Sequence, residues 1–267
     1  MDKNKVNIDD TNISLDLSDA TQAVKENRFQ DAILLLERIL KDQPDNIDAL
    51  YLSAVSSRYL KKFDESKSYI MDLLSNAPDM GRAYQEYGHL NRDQGNEEKA
   101  VMHYRQACEL NPALLSSWSF LHQYFTKYKN KPAADHAEDQ LKKLKSLPGL
   151  LLYISQILNE GRLGLAEEKC RAFLKKNPTN TYAMSLLAEI ANRLGYFDDA
   201  EFLLEKAVEF SPDDGDLRTK YAEILRKKQK FSKTMEQVEI LCEKFPNNLN
   251  YKAQKASEIM QNGYHEE

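Results

Sequence analysis

Residues 182–212 read YAMSLLAEIANRLGYFDDAEFLLEKAVEFSP. In the first half, Met184, Leu187, Ala188 and Ala191 recur at i, i+3, i+4 and i+7, the spacing of one helical face. Gly195-Tyr196 breaks the pattern, and Ala200, Leu203, Leu204, Ala207 and Val208 then resume it. Pro212 biases Ser211 away from the helical region and closes the second helix, leaving Asp213 or Asp214 to cap the next one. The stretch predicts a helix, a short turn, a second helix and a stop.

The same text recurs along the chain. Pro44, Pro78 and Pro112 are spaced by 34 residues, as are Pro178, Pro212 and Pro246, and the gap between the two series is 66. Twelve residues before each of these prolines comes a small side chain: Ala32, Ser66, Ala100, Ala166, Ala200 and Thr234. Three residues earlier stands Phe29, Phe63, Leu163, Phe197 or Phe231, with Glu97 the exception. A fixed period of this size marks a repeat array. Antiparallel helices approach closely only where a side chain is short. Ala100 and Ala200 in second helices, and Ala54, Gly88 and Ala188 in first helices, are therefore expected at the crossings, where a larger residue would cost roughly 1–3 kcal/mol.

The unit resembles the tetratricopeptide repeat. Residues 81–114 carry that pattern as Tyr84, Tyr87-Gly88, Ala100, Tyr104, Ala107 and Pro112, and residues 181–214 as Met184, Leu187-Ala188, Ala200, Leu204, Ala207 and Pro212. The register gives seven units, at 13–46, 47–80, 81–114, 115–146, 147–180, 181–214 and 215–248, after a polar tail at 1–12. The 115–146 unit diverges: Trp118, Leu121 and Ala134 fit, but the terminal proline and two residues are missing. The first helix, about 14–25, has Asp16 and Asp19 where bulky residues belong. Residues 249–267 form the first helix of a truncated eighth repeat or a capping helix. Gly263-Tyr264-His265-Glu266-Glu267 matches the turn Gly195-Tyr196-Phe197-Asp198-Asp199, which favours a cut from a longer protein. The resemblance implies an all-α, right-handed α-solenoid of stacked antiparallel helix pairs, a superhelix.

Composition excludes several classes. The 267 residues are 42% hydrophobic and 30% charged, too polar for a membrane protein and too apolar for a disordered one. With 37 basic and 42 acidic residues the net charge is −5, so no general attraction to nucleic acid or anionic membrane is expected. The N-terminal residues lack the apolar core of a signal peptide, which makes the cytoplasm the expected location. Cys108, Cys170 and Cys242 are an odd, widely spaced set, unlike a disulfide framework or zinc site, and are expected in or near the core. No phosphate-binding glycine loop, HExxH or Gly-x-Ser-x-Gly occurs, and no histidine has another at i+3 or i+4. Pairing of His89 with His122 across neighbouring first helices is weighed against ordinary groove polarity, and the latter is preferred. Glu97-Glu98, Glu167-Glu168 and Asp198-Asp199 are assigned to the starts of second helices, where the helix dipole favours negative charge. No catalytic residue, cofactor or metal ligand is expected.

A binding groove is the natural function of such an array, because stacked repeats generate a concave surface. By resemblance, the first helices line it. The candidate contacts are Tyr51, Val55, Arg58 and Tyr59, then Arg82, Gln85, His89 and Arg92. Later units offer Gln123 and Lys127, Glu189 and Arg193, and Arg226 and Lys227. Tyr51 and Tyr59 beside Arg58, Arg82 and Arg92 suggest a seat for an acidic or carboxylate-ended protein or peptide. The Lys/Asn clamp of chaperone-tail binders is absent: its positions hold Leu17/Thr21, Tyr51/Val55 and Gln85/His89. The asparagine ladder of sugar-transferase superhelices is absent too, as Leu52, Glu86, Phe120 and Leu186 stand at that offset.

Residues 81–90, 110–114 with Trp118, 160–163 with 170–174, and 198–205 are further similar to bacterial proteins in which repeats precede a C-terminal sulfotransferase domain. That resemblance implies catalytic residues beyond Glu267 and a presenting role for these helices. The readings are a non-catalytic binding array, the N-terminal region of a sulfotransferase, or a self-associating scaffold.

Overall fold

The computed structural model describes residues 8–261. Among the described residues the chain forms fifteen helices and no strand. They fall into two compact units, residues 1–148 and 149–267. Unit 1 holds the pairs α1 (Ile8–Lys25) and α2 (Phe29–Asp42), α3 (Ile47–Tyr59) and α4 (Phe63–Asn76), α5 (Gly81–Asp93) and α6 (Glu97–Leu110), and α7 (Leu115–Lys127) and α8 (Lys131–Ser146). Unit 2 holds α9 (Gly149–Asn159) and α10 (Leu163–Lys176), α11 (Thr181–Arg193) and α12 (Phe197–Phe210), α13 (Gly215–Lys227) and α14 (Phe231–Lys244), and then α15 (Leu249–Gln261).

Within each unit a helix packs on its partner and on the next pair, and first helices also touch one another, α1 on α3, α3 on α5 and α9 on α11. The small residues sit at the crossings as expected. Ala32, Ser66, Ala100, Ala166, Ala200 and Thr234 are all 0% exposed. Ser66 loses nothing by burial because its hydroxyl donates to the Ala54 carbonyl at 2.9 Å. Gly88 lets α5 lie against the Tyr104 ring of α6, where a Cβ would come within 2.8 Å of the ring carbons. First helices start alike where the sequence allows: Asn46, Asn180 and Asp214 accept from the backbone N–H groups of Ala49, Ala183 and Leu217 at 3.0, 2.9 and 3.1 Å. Of the two capping candidates, Asp214 is the cap, while Asp213 accepts from Lys244 at 2.5 Å.

Three boundaries differ from expectation. α1 starts at Ile8 and takes in part of the expected 1–12 tail. In the divergent unit α8 is 16 residues long where the other second helices all have 14, because the terminal proline is missing. The link to α9 is correspondingly reduced to Leu147-Pro148, so α9 starts 34 residues after α7, and the two absent residues come out of α9, which has 11 residues where α3, α5, α7, α11 and α13 have 13. Glu167 and Glu168 lie beyond the first turn of α10, so capping does not explain them; Glu167 accepts from Arg171 one turn on at 2.8 Å. The turn residues 263–267 lie outside the described residues.

Candidate functional site

The first-helix face of unit 1 is built on α3, α5 and α7. Arg58 of α3 was expected to point into a groove. It is buried instead, with Nε donating to Glu86 Oε1 at 2.5 Å and Nη1 donating to Asp93 Oδ2 at 2.8 Å, both on α5. Burial opposes its charge, but Glu86 and Asp93 outweigh that and hold the guanidinium's pKa above its ordinary value. Burial likewise works against the Asp93 carboxylate, yet hydrogen bonds from Arg92 and Arg58 keep its pKa below the usual range. Arg92 itself is exposed and pairs with Asp93 at 2.8 Å. Tyr59 is 55% exposed, its ring stacked on Phe29 at 4.4 Å with the Arg58 guanidinium at 4.4 Å from its centroid.

Farther along the face, the Arg82 guanidinium covers the Tyr51 ring at 4.6 Å. Gln85 donates to the Ser117 hydroxyl of α7 at 2.9 Å. His89 Nδ1 and the Tyr104 hydroxyl share a hydrogen bond of 2.6 Å. Burial pushes the His89 pKa down to about 4, helped by the Arg58 and Arg92 charges, so its imidazole is neutral at pH 7. Val55 is half-buried and Gln123 exposed. Lys127 pairs with Glu97 at 2.8 Å, and Tyr128 donates to the same carboxylate at 3.1 Å.

In unit 2 the expected groove residues are also engaged. Arg193 pairs with Glu189 at 2.8 Å and reaches the Leu158 carbonyl at 3.0 Å. Lys227 donates to Asn192 at 2.8 Å, and Arg226 pairs with Glu258 of α15. Alongside them Lys220 donates to Ser185 at 2.9 Å. Apart from the Arg193–Glu189 pair inside α11, these bonds link one first helix to the next. The sequence did not disclose the acceptors Glu86, Asp93 and Asn192 on neighbouring first helices, nor Glu97 on the second helix α6 as the partner of Lys127. The available signal was separation: donor and acceptor stand 28 to 35 residues apart, close to one repeat period.

Arg58 is therefore a correction to the expected peptide seat. Its burial and its two carboxylate partners make it part of the packing between α3 and α5. His89 and His122 do not converge: His89 meets Tyr104, and His122 Nδ1 meets the Ala134 carbonyl at 3.2 Å. Burial raises the thiol of Cys108 to about 12 and that of Cys170 to about 11, as befits core positions, while Cys242 is half-buried. Among the described residues no group of histidine, cysteine and carboxylate side chains is placed to hold a metal, and no helix is long and apolar enough to cross a membrane.

Residues 81–114 and 158–224 match the tetratricopeptide repeat family. No curated protein matches the sequence. Among solved structures, the chain is similar to one from Naa15/Naa10 bound to HypK-THB (17% identity, 92% of this chain and 39% of that one, TM-score 0.45). It is also similar to a tetratricopeptide repeat protein from Parabacteroides merdae (14%, 93% and 99%, TM-score 0.44). A third is the TPR2AB domain of yeast Sti1 in a complex with pHSP90 (17%, 93% and 96%, TM-score 0.36). The chain spans about two fifths of the first of these and nearly all of the other two.

Proposed function

We propose that this chain of tetratricopeptide repeats is a non-catalytic, cytoplasmic protein- or peptide-binding module that uses its first-helix face. The observation that carries the reading is the platform made by Arg82 over the Tyr51 ring at 4.6 Å, on the neighbouring helices α5 and α3. A stacked guanidinium is held flat and can offer its paired N–H donors to a carboxylate. Val55, Tyr59, Gln85, His89 and Arg92 flank that platform on the same two helices, and Gln123 and Lys127 extend the face onto α7. Glu189, Arg193, Arg226 and Lys227 supply the corresponding face of unit 2. The ligand class is an acidic or carboxylate-ended peptide. Lys127, Arg193 and Lys227 are already hydrogen-bonded within the chain, so such a ligand would have to exchange with those partners.

Selection of a displayed random peptide library on the purified chain tests this. Enriched peptides should lose at least about tenfold in affinity with Arg82→Ala, in keeping with the roughly 1.5–3 kcal/mol of a charge-assisted hydrogen bond. Amidation of the peptide terminus should have a similar effect. Enriched peptides indifferent to Arg82→Ala, Gln85→Ala and Gln123→Ala would remove this face from consideration.

The finer resemblance of residues 81–90, 110–114 and 170–174 supports a second version, in which the same face belongs to the N-terminal region of a bacterial sulfotransferase and presents its substrate. An in-frame donor-binding strand–loop–helix in the coding sequence after Glu267 would support that version, and an immediate stop codon would end it. A self-associating scaffold would show instead as a mass that rises with concentration.

A further inference from the structure

The second-helix side of unit 1 carries a cavity of about 570 Å³ between α6 and α8. Its floor is Cys108, Leu121 and Phe125. One wall is the indole of Trp118, fixed by the bond that its Nε1 donates to the Pro112 carbonyl at 2.8 Å. His136 of α8 meets that ring edge-on at 5.5 Å, and Ala133 leaves the α8 wall low. On the rim, Arg105 is exposed and forms no ion pair among the described residues. Glu109, one helical turn on, forms none either.

The corresponding place in the last full repeat is bridged. Arg218, 100 residues after Trp118, donates to the Pro212 carbonyl at 3.1 Å, as Trp118 does to that of Pro112. Its other arm donates to Gln237 of α14 at 2.5 Å, and both side chains are buried. The counterpart of Gln237 is Ala137, whose methyl can bridge nothing. The cleft between second helices is thus tied across in 215–248 and open in 115–146.

We propose that this open cleft binds a small apolar monocarboxylic acid, its hydrocarbon body between Trp118, Leu121 and Phe125 and its carboxylate on Arg105. The volume is that of a small-molecule site. An apolar pocket with one cation at its mouth selects an acid with one charged end. Glu109, toward the Pro112 end, repels a second acid group, which sets a monoacid above a diacid. Cys108, held as a neutral thiol by burial, adds apolar surface, and binding is non-covalent. The site is separate from the first-helix face and does not rest on it.

Trp118 is the one tryptophan of the chain, so its fluorescence reports directly on the cleft. The full chain is titrated with phenylbutyrate and with phenylbutyramide. The acid should give a saturable change, and the amide should bind at least about tenfold more weakly, the size of one lost charge-assisted hydrogen bond. Arg105→Gln should bring the acid down to the level of the amide at unchanged helicity. Ala133→Phe should abolish both by filling the cleft, and Arg82→Ala, on the other face, should leave binding as it was. No saturable change in the parent chain, equal affinity for acid and amide, or a loss on Arg82→Ala in place of Arg105→Gln would each overturn the assignment.

Discussion

Arg58 of α3 and Glu86 of α5 face each other at 2.5 Å, Nε to Oε1, with only 6% and 3% of their side chains exposed. Two successive first helices are thereby joined by a buried charge pair where most helix contacts are apolar. Such a pair adds little over a well-packed apolar one, but removing one partner strands a buried charge. Arg58→Ala is therefore expected to destabilise unit 1 by about 3–5 kcal/mol, while Arg58→Met with Glu86→Leu should recover most of that loss. Urea unfolding of the single and double variants checks this. Equal losses in both would mean that the pair contributes net stability of its own.

His89 links the same region to pH. Its pKa in the folded chain is about 4, lowered first by burial and then by Arg58 and Arg92, against about 6.5 when unfolded. Below pH 6.5 the unfolded chain takes up a proton that the folded chain does not, so the contribution is fully present above that pH. It falls progressively as pH drops from about 6.5 to about 4 and is level below. The loss attributable to His89 is at most roughly 3 kcal/mol. Unfolding free energies measured at pH 7 and 4.5 should diverge more in the parent chain than in His89→Gln. Parallel curves would show that the imidazole protonates freely in the native state.

The pairing of helices was legible because it depends on residues constrained by backbone geometry and close approach. The spaced prolines mark ends, and the small residues Ala32 through Thr234 mark crossings where nothing larger fits. The role of Arg58 was not legible. An arginine on a predicted groove face reads as a ligand contact until the neighbouring helix is in register. Glu86 offered the clue, since it stands at the offset where Leu52 and Leu186 sit, a place that faces the preceding repeat. Arg193 could not have been read at all, because one of its acceptors is the backbone carbonyl of Leu158.

The turns inside the helix pairs conceal a second regularity. Asn27, Lys61, Gly95, Lys129, Gly161, Gly195 and Gln229 all have φ between 56° and 81° and recur at the repeat period. Glycine occupies three of these left-handed positions and a side chain strained there occupies four, which is why no glycine pattern shows in the sequence. A left-handed conformation costs an L-residue about 1–2 kcal/mol, offset in part by the extra freedom of unfolded glycine. Lys61→Gly and Gln229→Gly should thus stabilise their units by about 0.5–1 kcal/mol, and Gly195→Ala should destabilise by about 1 kcal/mol. Thermal midpoints that move the other way would place the strain elsewhere.

Gly88 gives the opposite sign from ordinary helix propensity. In an exposed helix interior, glycine to alanine gains roughly 1 kcal/mol. Here a Cβ would sit 2.8 Å from two carbons of the Tyr104 ring, which is itself 0% exposed and tied to His89 at 2.6 Å. The ring cannot swing aside without losing that hydrogen bond, so α5 and α6 must part. Gly88→Ala is expected to destabilise unit 1 by roughly 1–3 kcal/mol, the cost of overpacking. Tyr104→Leu in the same chain should relieve the clash and make the second change less harmful than it is alone, a coupling that a double-mutant cycle in urea reads directly. Additive losses would mean that the helices already have room for the methyl group.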